Sequence, residues 1–282
     1  MKIREYFKMD LKNETKSKLE KLIDFLKNKK VIVAFSGGVD SSLLAFLSKK
    51  YAKETLLLTV KSQLYSKEEI DEAKEFANKH DIPHMILENN PLINEDFIKN
   101  PINRCYLCKM NNFTLFNNIK EEKGYDIVID GSNMNDLGDY RPGLDALKEL
   151  NILSPLIRFK IYKDEIREIS NYFGLETSSK PSGACFASRI PYHQIINETK
   201  LEMIEKAERF LKQSFGLKQL RVRFHDEKIA RIEIPKDQIP KIINEHSIKI
   251  ITEKFKEIGF LYITLDLEGF RSGSMNEVLM KK

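Results

Sequence analysis

Three groups of residues in this chain carry side chains able to do chemistry. The first is sulfur: "NRCYLCK", Asn103 to Lys109, holds Cys105 and Cys108, and "KPSGACFASRIPY" holds Cys185, which together are all the cysteines present. A thiolate is a nucleophile and a metal ligand, and a cationic neighbour such as Arg189 favours that form. Four such ligands close a structural metal site, whereas three leave one position open. The residues alone leave several readings open: a dithiol pair, a zinc site completed by one of the 5 histidines, one set of three thiolates, or Cys185 as a lone nucleophile beside an incidental pair.

The second group is "SGGVDSS", Ser36 to Ser42. Gly37 and Gly38 reach backbone angles closed to other residues and let an anion approach the main chain. Ser36, Ser41 and Ser42 add hydroxyl donors, and a helix beginning behind the glycines presents free N–H groups and its positive dipole end. The string lacks the lysine of a G-x-x-x-x-G-K-[ST] loop. The third group is "DGSNMNDLGDYRPG", with Asp130, Gly131, Asn133, Asp136, Asp139 and Arg141. Beside Cys185, Ser182 and Ser188 offer hydroxyls, and Arg189 has the planar fork that grips phosphate or carboxylate with two hydrogen bonds.

Positioning these groups calls for particular elements. Lys18 to Lys29 has apolar residues at Leu19, Leu22, Ile23 and Leu26, the spacing of a helix with one buried face. "VIVAF" (Val31 to Phe35) is a continuous apolar run, as expected of a parallel strand buried on both faces. A helix from Ser41, a strand Thr55 to Val60, a helix from Ser66 to about His80 and a strand "HMILE" alternate after it. A helix from Cys108 to Lys123 then leads to the strand "DIVID", a short strand near Ile152 and a helix Lys163 to Phe173. This alternation predicts an open α/β sheet, whose ligands sit at the carboxyl ends of the strands. The phosphate string and the polar loop both follow buried strands. After Pro181 the pattern changes to a helix from about Ile195 to Gln213, paired strands "QLRVRF" and "KIARIEI", two short helices and a strand "FLYITLDL". The expected division is residues 1–180 and a smaller α+β domain of residues 181–282.

At 282 residues with a net charge of +5, the chain can bury a proper core without disulfides and is only mildly basic. Such a balance suits a phosphorylated ligand and disfavours nucleic acid. The N-terminal region is charged throughout, which excludes a signal peptide and a spanning helix from the expectation and points to the cytoplasm. In that reducing compartment, an odd cysteine count reads as catalysis or metal binding.

The phosphate string resembles the PP-loop of the N-type ATP pyrophosphatases, adenine nucleotide alpha hydrolase-like enzymes that cleave ATP to AMP and pyrophosphate. That resemblance implies that Ser36, Gly37, Gly38, Asp40, Ser41 and Ser42 hold the pyrophosphate end of ATP, that Asp40 assists Mg2+, and that Lys61 lies near adenine. With "DGSNMNDLGDYRPG", "SPL" followed by "KDEIR", "KPSGACFASRIPY" and "RVRFHDEKIARIEIP", the chain is similar to the LarE family over nearly its full length. These are ATP-dependent sulfur transferases of nickel-pincer cofactor synthesis.

The resemblance implies adenylylation of a carboxylate of pyridinium-3,5-biscarboxylic acid mononucleotide and replacement of that oxygen by sulfur. It implies nucleotide-side roles for Gly131, Asn133, Asp136, Arg141, Ser188 and Arg189, and places Arg221 and Glu233, on paired strands, near the reactive Cys185. Similarity to three-cysteine members implies a [4Fe-4S] cluster on Cys105, Cys108 and Cys185, with an extra sulfide on the open iron. Sacrifice of the Cys185 sulfur, leaving dehydroalanine, is the alternative, as is the same chemistry on tRNA. A sulfide or other sulfur donor is an expected partner, and a homo-oligomer is left open. His193 stands where the family pattern leads one to expect glycine. Arg271 and Ser272 could bind phosphate or tie the tail to a neighbouring subunit.

Overall fold

A computed structural model of the protein describes residues 11–138, 140–181, 183–271 and 273–280. The candidate roles of Asp139, Ser182 and Ser272, and the reading of the first ten residues, lie outside the described residues. In chain order the first elements are α1 (Asn13–Leu26), β1 (Lys30–Ala34), α2 (Val39–Tyr51), β2 (Glu54–Lys61), α3 (Lys67–Lys79), β3 (His84–Glu88), α4 (Glu95–Ile98) and α5 (Arg104–Lys123). Then come β4 (Ile127–Ile129), α6 (Gly143–Glu149), α7 (Pro155–Arg158), α8 (Lys163–Tyr172), α9 (Glu198–Phe215), β5 (Arg221–His225), β6 (Ile229–Glu233), α10 (Glu245–Ile258), β7 (Tyr262–Leu265) and α11 (Glu277–Met280). Among the described residues no helix is long and apolar enough to cross a membrane.

The chain divides into two compact units. The first comprises residues 1–61, 67–89 and 105–183, and the second residues 62–66, 90–104 and 184–282.

The first unit is built on an all-parallel sheet in the order β3-β2-β1-β4. Its strands are apolar at consecutive positions because both faces are covered. Val31 and Val33 turn to a core shared with Leu22, Leu26, Leu43, Leu47, Ile166 and Ile169. Ile32, between them, joins Leu56, Leu58, Phe113, Phe116 and Leu147 on the other face. Burying each such side chain contributes roughly 1.5 to 3 kcal/mol, so two filled faces hold the strands more firmly than the ladder alone. Strand order reverses between β1 and β4, and the loops that follow these two strands leave the sheet side by side.

Several expectations shift, the first helix among them, which runs Asn13–Leu26 rather than Lys18 to Lys29. The short strand near Ile152 is a single parallel bridge from Leu153 to Ile129. Helix α5 begins at Arg104 rather than Cys108, started by a turn in which the Arg104 amide donates to Pro101 O at 3.0 Å. Both cysteines of "RCYLC" therefore lie in the helix's first turns.

In the second unit β5 and β6 form an antiparallel hairpin, and β7 adds parallel to β6 after the α10 crossover. Asn197 caps α9 by accepting from the Lys200 amide at 2.9 Å, which starts the helix later than the apolar pattern suggested. Phe224, Phe255 and Phe260 fill the core between the sheet and its helices, with ring centroids 5.7 and 5.5 Å apart in sequence along the chain of contacts.

Candidate active site

In the first unit the loop after β1 delivers the phosphate string onto the start of α2. Gly37 has φ +67, a left-handed angle that glycine takes without strain. The hydroxyls are organised by one another: Ser36 Oγ and Ser41 Oγ are 3.2 Å apart, Ser41 Oγ donates to Gly38 O at 3.2 Å, and the Gly38 amide donates to Ser36 Oγ at 3.4 Å. Ser42 is wholly buried, and its Oγ has no hydrogen-bond partner among the described residues. An orphan hydroxyl and the first amides of a long helix, gathered at one loop, fit a phosphate group.

The loop after β4 presses against this cradle. A Cβ on Gly131 would meet Asp40 Cβ at 3.2 Å and the Ser41 amide nitrogen at 3.2 Å, tighter than ordinary van der Waals contact, so any side chain there would require the cradle to give way slightly. Asp130 is an internal anchor: it accepts from Ser154 Oγ and Ser132 Oγ at 2.5 Å each, and Lys109 Nζ lies 3.4 Å away. Asp136 caps the loop by accepting from the Asn133 amide at 2.9 Å and pairs with Arg141 at 3.0 Å. Lys61, at the end of β2, is exposed and pairs with Glu88 at 2.8 Å.

Asp40 is the acidic centre of this arrangement. Lys163 Nζ donates to one carboxylate oxygen at 2.5 Å and Asn133 Nδ2 to the other at 3.4 Å. Burial nevertheless holds the Asp40 carboxyl above its ordinary range, outweighing the Lys163 charge and hydrogen bond, while Asp136 adds repulsion. A carboxylate at the start of α2, beside the phosphate cradle, fits a divalent cation that prefers carboxylate and phosphate oxygens, such as Mg2+.

In the second unit Cys185 lies half-buried at the start of a single helical turn, Phe186–Arg189. The turn is held from several directions. The Phe186 amide donates to Leu64 O at 2.9 Å. Arg189, buried, donates to Ala184 O and to Cys185 O, the latter at 2.9 Å, and its fork grips Glu208 through Nε at 2.9 Å and Nη2 at 3.0 Å. Burial alone would raise the Glu208 carboxyl, but the Arg189 charge and hydrogen bonds reverse this and hold it below the usual range. Ser188 Oγ donates to Cys185 O at 2.8 Å. The hairpin reaches the same turn: Arg223 donates to Ser188 O at 3.0 Å and to Glu233 at 2.7 Å.

Glu233 is fully buried and also takes Arg231 at 3.1 Å and Ser274 Oγ at 3.2 Å. Arg221 is its cross-strand register partner, donates to Leu220 O at 2.7 Å and stacks over Phe270 at 5.3 Å. His193 has φ +67, the left-handed angle at which glycine is the usual residue. Arg271 pairs with Glu277 at 3.1 Å and Glu268 at 3.0 Å.

The expectation of a three-thiolate [4Fe-4S] centre is corrected by this geometry. Among the described residues, no group of three or more His, Cys, Asp or Glu side chains is gathered so as to hold a metal ion, and Cys105, Cys108 and Cys185 form no such set. The similarity to three-cysteine, iron–sulfur members therefore does not carry over to the site, and neither does the cluster as cofactor. The physical reason is local. The helical start of α5 puts Cys105 at the surface, while Cys108 is half-buried and accepts from Asn112 Nδ2 at 3.6 Å.

Several contributors escape sequence reasoning. Lys163 and Lys180 bring charge to the phosphate loop, Lys180 Nζ donating to Gly37 O at 2.9 Å and Glu72 at 2.6 Å. Glu208 carried a readable signal: on α9 it falls in the stripe of Leu201, Ile204 and Leu211, where a lone charge demands a buried partner. Asn100, completely buried, donates to Ile190 O at 3.2 Å and Pro191 O at 2.7 Å and accepts from Arg104 at 2.8 Å, and nothing in its surroundings along the chain announced it.

A parallel sheet of this order with a glycine-serine cradle behind its first strand defines a PP-loop ATP pyrophosphatase. Comparison with known proteins agrees: the family described as "Queuosine biosynthesis protein QueC" matches residues 30–100. The chain is 39% identical to the uncharacterized protein slr1717 of Synechocystis over 94% of this chain and 99% of that one. It is 34% identical to the pyridinium-3,5-bisthiocarboxylic acid mononucleotide synthase of Lactiplantibacillus plantarum, over 89% of this chain and 91% of the synthase. Similarity to the tRNA-specific 2-thiouridylase MnmA of Rickettsia typhi is 28% over 61% of this chain and 59% of that protein. The chain belongs to the family of the pyridinium-3,5-bisthiocarboxylic acid mononucleotide synthase, within the PP-loop enzymes of the ATP-dependent sulfurtransferase type.

Proposed function

We propose that the protein adenylylates a carboxylate of a pyridinium mononucleotide and replaces the activated oxygen with sulfur taken from Cys185. ATP supplies AMP to the carboxylate and leaves as pyrophosphate, turning an oxygen into a good leaving group. The Cys185 thiolate attacks the activated carbonyl, AMP departs, and a thioester joins substrate to protein. Loss of the Cys185 α-proton and cleavage of its Cβ–S bond then give the thiocarboxylate and dehydroalanine. The observation that carries this reading is Cys185 itself, on a turn held by the buried Arg189–Glu208 pair, in a chain similar to the synthase over 89% of its own length.

In this reading Ser36, Gly37, Gly38, Ser41 and Ser42 bind the leaving pyrophosphate, and Asp40 is the residue that would hold Mg2+, which neutralises phosphate charge. Lys61 borders adenine. Gly131 lets the second loop close on the cradle, and Asn133, Asp136 and Arg141 shape that loop. Arg221 and Glu233, with Ser188 and Arg189, orient the cysteine side and its substrate. The enzyme acts in the cytoplasm.

The test is incubation with ATP and pyridinium-3,5-biscarboxylic acid mononucleotide, followed by mass analysis of the small molecule and of the protein. Expected are pyrophosphate, AMP, a thiocarboxylate product and a protein lighter by one hydrogen sulfide at Cys185. Many turnovers with Cys185 intact would rule the sacrificial route out. The similarity to a tRNA thiolase favours a second reading, the same chemistry on tRNA, and thiolated tRNA in place of a thiolated mononucleotide would select it.

A further inference from the structure

Lys163 occupies a position that helix energetics do not explain. It opens α8, where the dipole end is positive and a cation is disfavoured. Its own amide is fixed by Asn135 Oδ1 at 2.8 Å, and its side chain runs back to the start of α2, where Nζ meets Asp40 at 2.5 Å. Both side chains are three-quarters buried or more, at 24% and 22% exposure, so this is no loose surface pair. Asp40 in turn sits at the mouth of an anion cradle, and an uncompensated carboxylate there would repel a phosphate. Asp136 adds a second negative charge close by, already engaged with Arg141.

We infer that Lys163 is the built-in counter-ion of the phosphate cradle: it neutralises Asp40 in the nucleotide-free protein and must be displaced from that carboxylate when a cation-bearing nucleotide enters. The inference rests on the ATP reading and deepens it, because it makes Lys163 the residue that keeps the cradle from trapping a bare divalent ion. A single ammonium and a divalent cation compete for one carboxylate. The protein therefore discriminates in favour of metal arriving with phosphate, whose oxygens supply the remaining ligands. Once released from Asp40, the Lys163 ammonium is a cation beside a phosphate site and stabilises the departing pyrophosphate.

The experiment uses Mn2+ alone as probe, its binding read by electron paramagnetic resonance without nucleotide, in the full-length protein. Lys163→Met is expected to bind Mn2+ at least tenfold more tightly than the wild type. Lys163→Arg, which keeps the charge, should stay near wild type, and Asp40→Asn added to Lys163→Met should abolish the gain. An independent measurement needs no variant: acylation of Lys163 in the wild type, read by peptide mass, should rise severalfold at saturating Mn2+. Equal Mn2+ affinity in wild type and a folded Lys163→Met protein, or Lys163 labelling indifferent to Mn2+, overturns the inference. ATP binding by the wild type, measured by equilibrium dialysis, separates the two levels. If ATP binds and Mn2+ affinity does not change, the inference alone fails; if ATP does not bind, the nucleotide reading fails with it.

Discussion

Glu208 reaches its arginine away from the surface, at 2% side-chain exposure against 4% for Arg189, and it also accepts from the Val222 amide at 3.0 Å. Removing one member of such a pair strands the other, so Glu208→Gln should cost about 3 to 5 kcal/mol, visible as a lower urea midpoint. Because its carboxyl is held low, this contribution is present above the unfolded-state pKa and disappears as pH falls through the folded one. At the same turn, Cys185→Ser should still release pyrophosphate from ATP with substrate present but form no thiolated product. Cys105→Ala and Cys108→Ala should leave the single-turnover yield within about twofold, since among the described residues neither belongs to a metal-holding group. The C-x-x-C spacing states only that two thiols are near one another on a helix. Whether a third joins them depends on contacts distant in sequence, which is why the phosphate string was legible and the thiol arrangement was not.

Among the elements, the start of α2 and the loop after β4 pack so closely at Gly131 that an added Cβ would lie 3.2 Å from Asp40 Cβ and from the Ser41 amide nitrogen. Gly131→Ala should push Asp40 and the Ser41 amide out of place, costing about 1 to 3 kcal/mol of stability and raising KM for ATP by roughly tenfold or more. Thermal unfolding and pyrophosphate release at varied ATP concentration would show both. The alternation of strands and helices was readable because each apolar run had the length and period of its element. Helix beginnings were less so: α5 starts early because Pro101 O captures the Arg104 amide, and α9 late because Asn197 provides a better cap than anything before it. Long side chains are the hardest to foresee. Lys163 and Lys180 cross from later segments to the phosphate loop, and their reach leaves no trace in local pattern.

For the molecule as a whole, three histidines couple stability to pH. Burial pushes His80, His84 and His225 below the ordinary imidazole range, with the charges of Lys79, of Lys74, and of Arg231 and Arg223 adding in the same direction. The unfolded chain thus binds protons first as pH drops through about 6.5. Stability present above that value is lost progressively below it, and urea midpoints at pH 7.5 and 5.5 should differ accordingly. The second unit also draws on three separated stretches of chain. Residues 184–282 expressed alone would lack Leu64 O and Asn100, the partners of Phe186, Ile190 and Pro191, and should unfold at lower urea than the full protein. That interlacing bears on inheritance. A gene fusion that exchanged only the last hundred or so codons would carry Cys185 but leave behind the two inserted stretches that shape its turn, so recombination cannot readily trade this unit as a cassette. New substrates would have to be acquired by substitutions scattered along the reading frame, and lineages of this enzyme should diverge as whole chains.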